Sequence, residues 1–161
     1  MNIILIIIII IHIVNNIFLF FIFIATQTKE KYLTYENKRI KLQILDTNGS
    51  DYYRRWLISH YKNAHGIIFI YDVSDKNTFS NMYKWIDHVK DFGNEESNIC
   101  KILVGNKIDS YNEVKNEEGK ILAEKYNMPF FEMSIKDNRN VEQIFNFITN
   151  KILRYEINKT D

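Results

Sequence analysis

The stretch Ile102–Leu103–Val104–Gly105–Asn106–Lys107–Ile108–Asp109 decides the fold class of this chain. Its first half is apolar throughout, which is typical of a strand that is buried on both faces of a sheet. Its second half is polar and begins where that strand ends. Two other predicted strands also lead into polar clusters, because Asp46 follows Ile40–Leu45 and Ser134 follows Phe130–Met133. Parallel sheets bind ligands beyond the carboxyl ends of their strands, so these clusters are candidate site residues.

The chain alternates strands and helices on both sides of this stretch. Residues 31–35 and 39–45 predict a hairpin, and the apolar run 67–71 predicts a central strand. A helix capped by Asp75 or Asn77 carries an apolar stripe from Phe79 to Val89. A second helix is predicted over residues 117–126. A third begins at Asn140, which resembles a capping box with Gln143. In the middle helix we expect Ile121, Leu122 and Tyr126 to face inwards. The order predicts an α/β fold with a mostly parallel sheet and helices on both faces.

The three polar clusters resemble the third, fourth and fifth nucleotide motifs of the Ras superfamily. The nearest branch is Rab, through four stretches: Lys41–Ile44, Asn63–Gly66, Tyr71–Val73 and Leu103–Lys107. The resemblance covers about the span from Lys29 to Arg154. The resemblance implies the three-layer fold of the P-loop GTPases. It also implies a GTP/GDP-dependent switch in vesicular membrane traffic, on the cytoplasmic face of an intracellular membrane or in the cytosol.

The resemblance gives the residues of two clusters roles in holding the guanine base. Asp109 is expected to accept hydrogen bonds from the N1 and N2 edge of guanine, and Lys107 to lie along the base and the sugar. Asn106 is expected to tie the neighbouring loops together, Ser134 to brace Asp109, the Ile135 backbone N–H to meet the guanine O6, and Lys136 to cover the other face of the base. The family usually has alanine where this chain has Ile135.

The first cluster is expected to serve the phosphates. The resemblance implies that Asp46 holds Mg²⁺ through water and that the Gly49 N–H contacts the γ-phosphate. Ser50 stands where the family has the glutamine that positions the attacking water, so no catalytic residue is secure and we expect slow or defective GTP hydrolysis. Residues 50–63 match the surface through which the family meets effectors and exchange factors.

The phosphate-binding loop of the family has no counterpart in this chain. No glycine precedes Gly49, and the first lysine is Lys29. Phosphates need a ring of backbone N–H groups and a basic side chain, so we expect this chain to lack what is needed to hold GTP. The first strand and first helix of the fold are then absent or replaced, with Ile4–Ile11 as a candidate for the strand. The alternatives to a switch are a nucleotide-independent interaction module and a non-functional fragment.

Residues 1–25 form an apolar segment, and residues 26–161 form the predicted GTPase-like domain. Residues 3–25 have the length of a membrane span, and the basic residues after them would leave the domain cytosolic. A cleaved signal peptide fits poorly because no positive charge follows Met1. Our preferred hypothesis is that this segment is translated AT-rich non-coding sequence.

The charge balance, the single cysteine and the C-terminal residues predict three further properties of the chain. With 21 basic and 20 acidic residues, the chain has no electrostatic footprint for nucleic acid. Its one cysteine, Cys100, lies in an apolar run and is expected to be a core residue. The chain ends at Asp161 without the prenylated cysteines of the Rab family, so no prenylation site is predicted.

Overall fold

The structure is a computed structural model that describes residues 2–11, 26–35, 38–48, 57–61, 63–93 and 99–158. Its strands are β1 (Asn2–Ile11), β2 (Thr26–Tyr35), β3 (Lys38–Asn48), β4 (Gly66–Asp72), β5 (Cys100–Asn106) and β6 (Phe130–Met133). Its helices are α1 (Ile58–Tyr61), α2 (Lys76–Phe92), α3 (Asn116–Lys125) and α4 (Val141–Asn158).

The described strands form one sheet in the order β2-β3-β1-β4-β5-β6. Only β2 and β3 pair antiparallel, as the predicted hairpin, and the other neighbours are parallel. The carboxyl ends of β3, β1, β4, β5 and β6 therefore all lie on one edge. This arrangement confirms the predicted α/β fold.

Strand β1 occupies the centre of the sheet. Asn2–Ile11 pairs with β3 along its whole length, and Ile7–Ile11 also pairs with β4. The candidate Ile4–Ile11 therefore lies in the place of the first strand. The connection that would contain the first helix, residues 12–25, lies outside the described residues, and the division of the chain after residue 25 stays a prediction. Within the described residues, no helix is long and apolar enough to cross a membrane.

Two apolar layers cover the sheet because side chains of successive strand residues point to opposite faces. On one face Phe69, Tyr71 and Leu103 pack against α2 and α3, and on the other Ile68, Ile102 and Val104 pack against α4. Cys100 belongs to the second layer, which confirms its prediction as a core residue.

The three predicted helices are present as α2, α3 and α4. Asp75 caps α2, since its side chain accepts a hydrogen bond from the Asn77 N–H at 2.9 Å. The side chain of Ile121 is 65% exposed, so the prediction that it faces inwards is wrong: Leu122 and Ala123 form the buried stripe of α3, and Ile121 lies outside it. The Asn140 side-chain amide donates to the Glu132 carbonyl at 2.9 Å, which joins the start of α4 to β6.

Candidate functional site

The loops after β5 and β6 are joined at the carboxyl edge of the sheet. The buried Asn106 side chain accepts the Ile135 N–H at 3.3 Å, and the Ile108 N–H donates to the Met133 carbonyl at the same distance. Asn106 also holds the loop after β4, because its carbonyl accepts the Val73 N–H at 2.9 Å. Asn106 therefore joins the loops that follow β4, β5 and β6.

Asp109 and Ser134 are in direct contact. The Ser134 hydroxyl, which is fully buried, donates to Asp109 Oδ1 at 2.5 Å and accepts the Asp137 N–H at 3.0 Å. Lys136 Nζ lies 3.6 Å from Asp109 Oδ2. The hydrogen bond from Ser134 and the charge of Lys136 outweigh desolvation and hold the pKa of Asp109 below its usual range. The carboxylate is therefore charged at neutral pH and is held in one orientation.

A tight turn presents the residues after β6. Ser134 and Arg139 exchange backbone hydrogen bonds of 3.2 and 2.9 Å, and Asn138 adopts a positive φ of 52° that closes the turn between them. Asparagine adopts this left-handed conformation more readily than most residues. The turn leaves the Ile135 side chain 56% exposed. The Ile135 N–H, which is predicted to meet guanine, donates to the Asn106 side chain through a bond near the long limit of hydrogen-bond geometry.

Lys107 is anchored by Asp72, a residue to which the sequence motifs assign no role. Its backbone has a positive φ of 69°, and its Nζ forms a 2.5 Å ion pair with Asp72 Oδ2 at the end of β4. Asp72 Oδ1 also accepts the N–H and hydroxyl of Ser74 at 2.9 and 2.7 Å. Burial raises the pKa of Asp72, but the bonds from Lys107 and Ser74 outweigh it and lower the pKa overall. The signal for Asp72 in the sequence is its place directly after the apolar run 67–71, at the predicted end of a central strand.

Asp46 lies near the carboxyl end of β3, away from the Asp109 cluster. Strands β1 and β4 separate β3 from β5, so the two positions are at least roughly 14 Å apart across the sheet at about 4.8 Å per strand. Asp46 is exposed, and partial desolvation raises its pKa against the charge of Lys29. Gly49 and Ser50 lie outside the described residues. The candidate site therefore lies along one edge of the sheet, with a hydrogen-bonded cluster around Asp109 and a separate acidic group at Asp46.

The described residues do not form a magnesium site by themselves. Mg²⁺ is usually bound through one or two carboxylates together with phosphates and water. Asp46 supplies one exposed carboxylate, and the described residues contain no group of three His, Cys, Asp or Glu side chains that could hold a metal ion. Residues 12–25, which join β1 to β2, contain no glycine, lysine, serine or threonine that could complete a phosphate and metal site.

The Asp109 cluster has the chemistry for a planar ligand with adjacent N–H donors. Each carboxylate can accept about four hydrogen bonds, and Ser134 and Lys136 use part of that capacity from the protein side. Lys107 lies two residues before Asp109 in the same loop, and the ammonium group at the end of its apolar stem is fixed by Asp72. Such a pair of charged acceptor and apolar stem suits the edge and face of a purine that carries N–H donors.

Comparison with known proteins identifies the family. The model of the Ras family matches residues 9–154. The chain belongs to the Ras family. It is 39% identical over 131 residues to the Ras-related protein RABD1 of Arabidopsis thaliana, an alignment that covers 80% of this chain and 63% of the relative. It is 41% identical over 124 residues to Ras-related protein Rab-1D of Dictyostelium discoideum (76% and 60%) and to Ras-related protein SEC4 of Candida albicans (76% and 58%).

These relatives confirm the prediction of a Rab-type small GTPase by family, as well as its three-layer fold. The chain spans less than two thirds of the length of each of these three relatives. Of residues 50–63, the structure describes 57–61 and 63, and Leu57 and Tyr61 among them are fully buried. A partner surface in that segment would therefore use its other residues.

Proposed function

We propose that this chain is a Rab-type, guanine-nucleotide-dependent switch of vesicular membrane traffic that hydrolyses GTP slowly or not at all. The observation that carries the proposal is the cluster of Asp109, Ser134 and Asn106, which ties together the loops after β5 and β6. Family membership supplies the rest: guanine nucleotide as the ligand, effectors and exchange factors as partners through residues 50–63, and an intracellular membrane or the cytosol as the location.

The base is expected to be held by the Asp109 cluster in its present form. Asp109 would accept the N1 and N2 hydrogens of guanine, while Ser134 keeps the carboxylate from rotating. Adenine offers an amino group beside a bare acceptor, which would place a lone pair against the carboxylate. Hydrogen bonds to a charged group are worth about 1.5–3 kcal/mol each, so this mismatch is sufficient for strong selection of guanine.

Hydrolysis is expected to be slow for two reasons. Ser50 stands at the position of the water-positioning glutamine, and a serine side chain cannot reach both the water and the γ-phosphate. The connection from β1 to β2 also offers no lysine to neutralise phosphate charge. Mg²⁺ would have Asp46 as its protein group and would otherwise depend on phosphate and water.

The composition of residues 12–25 favours a second candidate, a nucleotide-independent interaction module. The apolar stretch HIVNNIFLFFIFIA joins β1 to β2, the place at which the family carries its phosphate loop. In this alternative the Asp109 cluster stabilises the fold, and the chain acts through its surface alone. A membrane anchor over residues 3–25 would use residues that form the central strand Asn2–Ile11 in the structure, so the two arrangements exclude each other.

A nucleotide titration distinguishes these functions. The ¹⁵N-labelled full chain is titrated with GTP or GDP in the presence and absence of Mg²⁺, with ATP as the competitor, and the amide signals of Lys107 and Ile135 are followed. We expect guanine nucleotides to shift these signals and ATP to leave them unchanged. Asp109→Ala is expected to abolish the shifts, and Asp91→Ala, an exposed acid on α2, to preserve them.

Three results separate the two functions. Equal responses to GTP and ATP, or unchanged guanine binding in Asp109→Ala, would show that this cluster does not read guanine. An absence of any response to nucleotide in the folded protein would leave the interaction module as the function.

A further inference from the structure

A cavity of about 330 Å³ lies at the opposite edge of the sheet from Asp109. It is bounded by the amino end of β5, by the turn between α3 and β6, and by the last turns of α4. Lys101 in this cavity and Asn106 at the candidate site are five residues apart on β5, or roughly 16 Å at about 3.3 Å per residue. The cavity is therefore separate from the nucleotide edge.

Lys101 is an unusual residue for this strand. The other six residues of β5 are buried, whereas the lysine is half-buried and faces the cavity. The part of the chain that the structure describes provides no ion pair or hydrogen bond for its ammonium group. Burial without compensation lowers the pKa of Lys101. A cation in this position is stabilised by a bound anion, since desolvated charges are costly unless paired.

The cavity carries further positive charge. Lys151 of α4 lines it and lies close enough to Cys100 for its charge to oppose the effect of burial, which raises the pKa of that thiol. His65 lies at the start of β4 on the same wall. Glu156 is the one acidic side chain among the described lining residues. Two lysines against one carboxylate give the cavity an excess of cationic groups.

The remaining walls are apolar or aromatic. Met128 and Ile152 are buried behind the cavity, and the rings of Tyr126 and Tyr155 border it. A volume of this size is at the lower end of the range for small-molecule sites, so it fits a compact ligand. We propose that this cavity binds a small organic oxyanion, a carboxylate or phosphate ester on a compact apolar body, with Lys101 as its principal charged contact.

The test uses phenyl phosphate, benzoate, inorganic phosphate and the neutral benzyl alcohol as probes of the full chain. Each is titrated into ¹⁵N-labelled protein, and the amide signals of Lys101, Asn127 and Met128 are followed. We expect phenyl phosphate or benzoate to shift these signals with saturation, and inorganic phosphate and benzyl alcohol to bind more weakly because each lacks one half of the contact. An excess of GTP is expected not to displace the probe.

Two variants assign the charge to one residue. Lys101→Met retains the apolar stem but removes the ammonium group, and we expect it to weaken binding of the anionic probes by roughly tenfold or more. Lys120→Met is the matched control, because Lys120 is an exposed lysine on α3. The amide spectrum of each variant shows whether it is folded, and Lys101→Ala provides a second variant if the first is not.

The proposal is overturned by any of four results: equal binding of the anions to wild type and folded Lys101→Met, equal binding of benzyl alcohol and phenyl phosphate, shifts that map to the Asp109 edge, or no saturable response to any anion. Preference for the phosphate or the carboxylate probe identifies which oxyanion the cavity accepts.

Discussion

Replacement of Asp72 by asparagine tests whether the Lys107 ion pair holds the candidate site together. The carboxylate is buried and accepts three hydrogen bonds, from Lys107 Nζ at 2.5 Å and from the N–H and hydroxyl of Ser74 at 2.9 and 2.7 Å. Removing one partner of a buried pair costs about 3–5 kcal/mol, because the other charge loses its compensation. The Lys107 side chain is 37% exposed and regains water, which reduces the cost. We therefore expect Asp72→Asn to lower the free energy of unfolding by about 2–3 kcal/mol.

Urea unfolding of the full chain at neutral pH measures this difference. The midpoint is expected to fall while the slope with urea stays the same, because the variant exposes the same surface on unfolding. Asp91→Asn is the matched control, since Asp91 is exposed on α2, and it is expected to stay within about 0.5 kcal/mol of wild type.

The pH dependence of the difference has a fixed sign. The folded-state pKa of Asp72 lies below the ordinary value, so its contribution to stability is fully present above about pH 4. The contribution is lost as the pH falls through the folded pKa, where both the folded and the unfolded carboxyl groups become protonated. The gap between wild type and Asp72→Asn should therefore shrink in acid. Equal midpoints for Asp72→Asn and Asp91→Asn at neutral pH would refute the reasoning, as would a gap that grows as the pH falls.

Three further predictions concern the site and its supporting core. Ser134→Ala removes the hydrogen bond that most lowers the pKa of Asp109, so a carboxyl NMR titration should show that this pKa is raised. The free energy of unfolding should fall by about 2 kcal/mol. An unchanged Asp109 titration would contradict the role of Ser134 as the donor to Asp109. Gly119→Ala would place a Cβ 2.5 Å from both Phe130 Cζ and Tyr71 Oη, so despite the better helix propensity of alanine we expect urea unfolding to show a loss of about 1–2 kcal/mol. Adding Tyr71→Phe removes the Tyr71 hydroxyl and should restore part of that loss. If Gly119→Ala were more stable than wild type, the neighbouring side chains would move aside without cost. Guanosine and Mg²⁺-GTP should bind with similar dissociation constants, on the order of 1 mM, because two charge-assisted hydrogen bonds hold the base in each case. Calorimetry that showed GTP bound a hundredfold more tightly than guanosine would reveal a phosphate site.

Much of the sheet could be predicted because its pattern is local. Apolar runs bounded by polar residues mark β4, β5 and β6, and the clusters beyond them include the Asp109–Ser134 contact. The place of β1 cannot be predicted from local pattern, since a run of isoleucines has no periodicity to distinguish a strand from a membrane helix. The sheet places it through long-range pairing, between β3 and β4. The role of Asp72 has no local signal either, because it depends on Lys107, which is 35 residues away in sequence but in contact through β4 and β5.

The two ends of the candidate site differ in how they depend on sequence. At the base end, Asn106, Asp109 and Ser134 hold each other through hydrogen bonds within the protein, so this end is formed before any ligand arrives. The phosphate end depends on backbone N–H groups in a turn that only a glycine-rich loop forms readily, and on a lysine that follows it. Residues 12–25 contain neither residue type. Because a base held without its phosphates contributes only a few hydrogen bonds, the ability of a switch to distinguish GTP from GDP would rest on Asp46 and the Gly49 N–H, the two groups of this chain that the family resemblance places at the phosphates.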